Sequence, residues 1–148
     1  MNEIIGLLDN IRRLVRLFDA MLKPVCAQFG LTSIEVTIIS FLYHNPGRDT
    51  AADIVELRML SKGNVSQAVE SLIQKSLLRR EQDKDDRRKI HLSLTENTKP
   101  ITKEIESVRD NFRSKVFHNF TIEERQQFAK FNERMALNTN TVWEKGEF

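Results

Sequence analysis

Between Ser61 and Glu96 the apolar residues change from helical to strand spacing, and that switch constrains the fold more than any other feature of the chain. In KGNVSQAVESLIQK (62–75), Val65, Ala68, Val69, Leu72 and Ile73 recur every three or four residues, which lines one face of an α-helix. Ser61 stands where an N-cap is needed. Lys62, Asn64, Ser66, Gln67, Ser71 and Gln74 fall on the polar side. In KIHLSLT (89–95), Ile90, Leu92 and Leu94 alternate with His91, Ser93 and Thr95, the period of a half-buried strand. Leu77 and Leu78 open a partner strand. The segment between them, Arg79 to Lys89, holds six basic and four acidic side chains. Taken alone, such a knot is a solvated turn or a surface shaped to meet another polyelectrolyte.

The rest of the chain reads as helix. Ile4, Leu7, Leu8, Ile11, Leu14, Val15, Phe18, Met21, Leu22 and Val25 keep three-to-four spacing, which predicts a helix over 3–29. Pro24 is expected to bend or loosen its last turn, and Gly30 to stop it. TSIE (32–35) is a capping-box pattern that opens a second helix, ended by HNPG (44–47). A short third helix from about Thr50 is expected to turn Ile54, Val55 and Leu57 inward. After the hairpin, a helix from Thr98 or Lys99 to about Asn119 carries Ile101, Ile105, Val108, Phe112, Val116 and Phe120. Pro100 confines its start to the first turn. A second capping box, TIEE (121–124), opens a last helix with Phe128, Phe131 and Met135 on one side. The fold class is therefore mainly α with a small β-hairpin. Helices flank both ends of a central unit.

Composition excludes several function classes. With 40% hydrophobic and 30% charged residues the 148-residue chain can bury a core and remain soluble. The net charge of +2 is too small to argue for a polyanionic partner, so that case rests on local clustering. Cys26 is the single cysteine, which rules out an internal disulfide framework and fits a reducing cytoplasm. The N-terminus lacks a signal-peptide pattern, and the longest apolar stretch, near VTIISFLY (36–43), is far shorter than a membrane span, so a cytoplasmic protein without membrane association is expected. No nucleophile–base–acid set or Gly-rich phosphate loop stands out, which argues against an enzyme and against a bound cofactor. His44, His91 and His118 lack metal-ligand spacing, and no metal site is expected. Cys26 has only Lys23 nearby to lower its pKa, so a buried structural thiol is favoured over a redox sensor.

Two short helices followed directly by a hairpin form a winged helix-turn-helix arrangement, and its surface chemistry suits DNA. The fourth helix begins with small polar residues, so its backbone can approach a duplex and its side chains can reach base edges in the major groove. Ser61, Lys62, Gly63, Asn64, Ser66, Gln67 and Ser71 are the DNA-binding candidates on this helix. Lys62 suits a phosphate or guanine, Asn64 and Gln67 suit adenine, and Ser66 and Ser71 suit phosphate. Gly63 removes bulk at the closest approach. In the hairpin, Arg87 and Arg88 can enter an adjacent minor groove. Arg79, Arg80, Lys84 and Lys89 can touch phosphates. Asp86 is expected to orient a wing arginine.

The run SKGNVSQAVESLIQKSLLRREQDKDDRRKIHLSLTE resembles the DNA-binding core of the MarR family of bacterial transcriptional regulators. The family's wing pattern of Asp-x-Arg, then after three residues an aliphatic, one residue and Leu-Thr, is met by Asp86, Arg88, Leu92, Leu94 and Thr95. The helix order on both sides also matches, so the resemblance spans essentially the whole chain. It implies three segments: an N-terminal dimerisation helix at 1–30, a winged helix-turn-helix domain at 31–96, and C-terminal dimerisation helices at 97–148. It further implies a homodimer on a pseudo-palindromic double-stranded DNA operator, and a repressor released by a small aromatic or anionic effector. The sequence departs from the family where Ser76 replaces the usual glycine after the recognition helix, and where Asn97 and Thr98 replace the glycine after Leu-Thr-Glu. Two other readings compete with the ligand-responsive repressor: a winged-helix module that binds protein without DNA, and a regulator that senses metal or oxidant.

Overall fold

A computed structural model describes residues 2–148 and contains six helices and one hairpin: α1 (Glu3–Phe29), α2 (Ser33–His44), α3 (Ala51–Arg58), α4 (Lys62–Gln74), β1 (Leu78–Gln82), β2 (Ile90–Leu94), α5 (Lys99–Val116) and α6 (Ile122–Lys145). Met1, the first residue of the expected N-terminal segment, lies outside the described residues. The chain divides into two compact units, 1–112 and 113–148. The boundary between the two units falls inside α5.

The helix ends follow local chemistry. α1 runs on through Pro24 and stops where Gly30 takes a left-handed conformation (φ 63°). Both expected capping boxes form: Thr32 and Glu35 start α2, and Thr121 and Glu124 start α6. A third, Thr50 with Asp53, starts α3. Ser61 caps α4 by accepting the Asn64 amide at 3.1 Å. A single 3-10 turn, Glu96–Thr98, leads into α5. Ser76, in the usual glycine position, adopts a left-handed φ of 62°.

The core of the first unit lies where α2, α4 and the hairpin converge. Val36, Ile38, Ile39 and Phe41 of α2, Ile54 of α3, Val65 and Leu72 of α4, and Ile105 of α5 are completely buried. Leu22 and Val25 of α1 and Leu78 and Leu92 of the hairpin join them. Each such side chain contributes roughly 1.5–3 kcal/mol of transfer free energy. The strands pair antiparallel, with Leu78 opposite Leu94, Arg80 opposite Leu92 and Gln82 opposite Ile90. The Leu92 amide turns outward and donates to the Asp49 carbonyl at 2.8 Å, which joins the hairpin to the α2–α3 loop.

Several sequence expectations are corrected. Leu57 is exposed: α3 is only eight residues long, and its buried side holds Ile54 with Val55 partly covered. Ile90 is also exposed, since it pairs with Gln82 beyond the reach of the core. Arg79, Arg80, Glu81 and Gln82 belong to β1, so the turn proper is shorter than the charged knot. No burial within the subunit is expected of the whole α1 stripe, and it is buried only near its C-terminal end; Ile4, Leu7, Leu8, Ile11 and Val15 are exposed.

In the second unit, Phe117 packs edge-on against Phe120 and Phe128, with ring centroids 5.4 Å and 5.2 Å apart. The Arg125 guanidinium lies over the same ring at 5.1 Å. None of the α6 side chains is buried, and Phe128, Phe131, Met135, Leu137, Val142 and Trp143 remain exposed. Among the described residues, no single helix is long and apolar enough to cross a membrane.

Candidate nucleic-acid interface

One buried carboxylate joins α2 to α4. Glu35 Oε1 accepts the Thr32 amide at 2.9 Å as part of the α2 cap. Its Oε2 accepts the Ser71 hydroxyl at 2.9 Å, and Lys75 Nζ lies 3.0 Å from the same oxygen. Lys75 also donates to the Gly30 carbonyl at 3.2 Å. Burial alone would raise the Glu35 pKa, but the Thr32 amide, Lys75 and Ser71 together hold it below the usual glutamate value. The carboxylate stays charged, and it binds the C-terminal end of α4 to the start of α2.

N-terminal to that tie, the first turns of α4 are open to solvent. Lys62, Gly63, Asn64, Ser66 and Gln67 are all exposed along its first turns. A side chain added at Gly63 would meet nothing within 4 Å. A helical glycine costs about 0.5–1 kcal/mol relative to alanine. No packing inside the protein requires a glycine at this position. Ser71 follows Asn64 and Gln67 along the same face, but it is half-buried and its hydroxyl proton is already donated to Glu35, so it is not available to a phosphate. Ser61 is on the surface but its oxygen already serves as the helix cap.

The wing sorts its charges by role. Asp83 Oδ2 accepts the Asp85 and Asp86 amides at 3.0 Å and 2.9 Å. Asp86 Oδ1 accepts the Arg88 amide at 3.0 Å and lies 3.6 Å from the Arg88 guanidinium. Gln82 Nε2 donates to the Arg87 carbonyl at 2.9 Å, and the Asp83 amide to the Lys89 carbonyl at the same distance. The acids thus bind the backbone of the turn, while Lys84, Arg87, Arg88 and Lys89 extend into solvent; the Arg88 side chain is 95% exposed. Arg79 is exposed on β1. Arg80 is paired with Glu70 of α4, so it braces the wing against that helix and must exchange partners before it can meet a phosphate.

Three residues of this region had no role in the sequence reading. Asp49, Asp83 and His91 join through the imidazole, whose Nδ1 and Nε2 each lie 2.7 Å from a carboxylate oxygen. Asp49 is 42 residues from His91, so spacing along the chain carried no sign of the pair. His44 meets Glu106 and the Ser40 carbonyl instead. No group of three or more His, Cys, Asp or Glu among the described residues could hold a metal ion. Partial burial pushes the Cys26 thiol above its ordinary pKa, and Glu35 adds to the shift, the opposite of an activated thiolate.

A short polar helix exposed beside a cationic hairpin defines a winged helix-turn-helix protein. Residues 29–89 match the model of the MarR family. The fold of the whole chain is similar to solved structures of MarR regulators. One from Methanosarcina mazei is 21% identical, with 95% of this chain and 99% of that one aligned at a TM-score of 0.79. BpsR of Bordetella bronchiseptica, whose DNA binding is regulated by 6-hydroxynicotinic acid, is 22% identical over 90% of this chain and 99% of that one, with a TM-score of 0.67. A mutant of MepR from S. aureus, solved bound to an oligodeoxyribonucleotide, is 19% identical over 94% of this chain and 99% of that one, with a TM-score of 0.55. At these identities the likeness is one of fold.

Proposed function

We infer that the chain is a cytoplasmic, sequence-specific regulator of transcription that binds double-stranded DNA as a homodimer. The observation that carries this reading is the outward face of α4, where Lys62, Asn64, Ser66 and Gln67 surround a glycine that no packing inside the protein requires. Asn64 and Gln67 offer paired donors and acceptors to base edges. Lys62, Ser66, Arg79, Lys84 and Lys89 serve the phosphates, and Arg87 and Arg88 enter the minor groove beside the site. Exposed apolar residues on the first half of α1 and along α6 supply the contact between two copies. A pseudo-palindromic operator follows from the two-fold symmetry, and repression from occupancy of a promoter.

The effector is a small aromatic or anionic molecule, the class to which the ligand of BpsR belongs. The raised pKa of Cys26 favours this over an oxidant sensor.

The test is a polarisation titration on the DNA upstream of the protein's own coding region, across a salt series and with aromatic acids added. If six phosphates are neutralised, the slope of log affinity against log salt is about −5. A module that binds protein instead of DNA would give no saturable duplex binding at low salt.

A further inference from the structure

His91 lies on β2 with its ring half-buried, and both ring nitrogens face carboxylates. Nδ1 is 2.7 Å from Asp49 and Nε2 is 2.7 Å from Asp83. A neutral imidazole has one N–H and one lone pair, so it would set a lone pair against one of the two carboxylates. Only the imidazolium donates to both. The acids come from different parts of the fold. Asp49 sits in the α2–α3 loop, where its carbonyl also accepts the Leu92 amide. Asp83 sits at the wing tip, where its second oxygen holds the Asp85 and Asp86 amides of the turn that carries Arg87 and Arg88.

The geometry points to His91, in its doubly protonated form, as the positioning residue of the wing: it fastens the tip to the body of the winged domain and so sets where Arg87 and Arg88 meet DNA. The consequence for DNA rests on the function proposed above; the clamp itself is a property of the free protein.

The charges around the ring favour the proton. The α2–α3 loop presents Asp49 and Arg48, and Arg48 is drawn toward Asp53 at the start of α3, 3.7 Å away. β1 presents Glu81 directly opposite His91 in the ladder, and Lys89 stands at the entry to β2. Hydrogen bonds to Asp49 and then to Asp83 raise the His91 pKa. The same bond, with the Asp86 and Asp85 amides, lowers the Asp83 pKa to about 2. A histidine raised in this way contributes fully below its free value near ~6.5 and is lost as pH climbs through the raised one. Asp83 releases the clamp only in strong acid. The wing is therefore fastened from mildly acid to neutral pH and freed on the alkaline side.

The experiment follows the His91 ring resonances and the hydrogen exchange of the Asp85 and Asp86 amides in the free full-length protein, from about pH 6 to about pH 9. Polarisation on the upstream duplex is run in parallel. His91 should titrate above ~6.5. Protection of the two amides should fall through the same midpoint. The dissociation constant should then rise by up to about tenfold per pH unit above it, the slope set by one linked proton. H91Q should bind weakly with a flat profile, and D49N, which keeps the ring and removes one partner's charge, should move the midpoint toward acid. An ordinary or lowered His91 pKa with pH-independent amide protection would overturn the clamp. A binding profile identical in wild type and D49N would overturn its role in positioning. Absence of duplex binding at every pH would count against the DNA-binding function, while the free-protein titration still decides the clamp.

Discussion

Glu35 uses one carboxylate both to cap α2 and to anchor α4, so its replacement separates capping from charge. E35Q keeps an acceptor for the Thr32 amide but leaves Lys75 without its anion. Because Lys75 is 39% exposed and can turn to water, the loss should be about 1 kcal/mol. Because the glutamate pKa is lowered in the fold, its contribution is present above the ordinary value and vanishes as pH falls through the lowered one. Urea midpoints should drop in E35Q at neutral pH, and the wild type should lose that advantage in acid; equal midpoints at neutral pH would contradict the tie. Gly63 makes a complementary case. G63A should stabilise the protein by about 0.5–1 kcal/mol, since a Cβ there has open space. It should at the same time weaken duplex binding; unchanged affinity would mean that the backbone does not come close to DNA. Gln67 and Lys62 were legible in the sequence because one helix fixes their direction. The second role of Glu35 was not, because Ser71 lies 36 residues away and only packing joins them.

Among the elements, the turn between α4 and β1 carries one of three non-glycine residues with positive φ in the described chain. Ser76 sits at φ 62°, where a side chain costs about 1 kcal/mol and glycine almost nothing. Its carbonyl accepts the Thr95 hydroxyl at 2.7 Å and the Asn97 amide nitrogen at 3.1 Å, so the strained turn is held by the segment that follows the wing. S76G should keep those backbone contacts and raise the unfolding free energy by roughly 0.5–1 kcal/mol. A loss of stability would mean that the serine hydroxyl has an unrecognised role. The helix-to-strand switch made α4 and the hairpin readable before any coordinates, and Ser76 marked the awkward turn between them. The division of labour inside the wing was only partly readable, since Asp86 was singled out and Asp83 was not. A run of mixed charge does not say which acids turn back onto the backbone. Asp83 and Asp86 do so, and the bases are left outside. If Arg88 makes a specific contact, R88A should cost about 1–3 kcal/mol of operator binding, with thermal stability unchanged.

At the scale of the molecule, the unresolved demand is the apolar surface at the chain ends. Ile4, Ile5, Leu8, Ile11 and Val15 on α1 in the first unit, and Phe131, Leu137 and Trp143 on α6 in the second, are exposed large apolar side chains, which the proposed homodimer would cover. Periodicity alone could not tell this surface from a monomer core, because the same spacing serves both. Sedimentation equilibrium should give twice the 17.3 kDa of one chain. Charged replacements at Ile11 or Phe131 should shift it toward one copy. A monomer at micromolar concentration would remove the basis for two-fold operator recognition. The account as a whole is tested most directly by hydroxyl-radical footprinting on the duplex that the protein selects. It predicts a two-fold symmetric pattern whose half-sites are centred about one helical turn apart, roughly 34–36 Å, with protected minor grooves on the outer flanks. A single protected patch, or a pattern without symmetry, would contradict it.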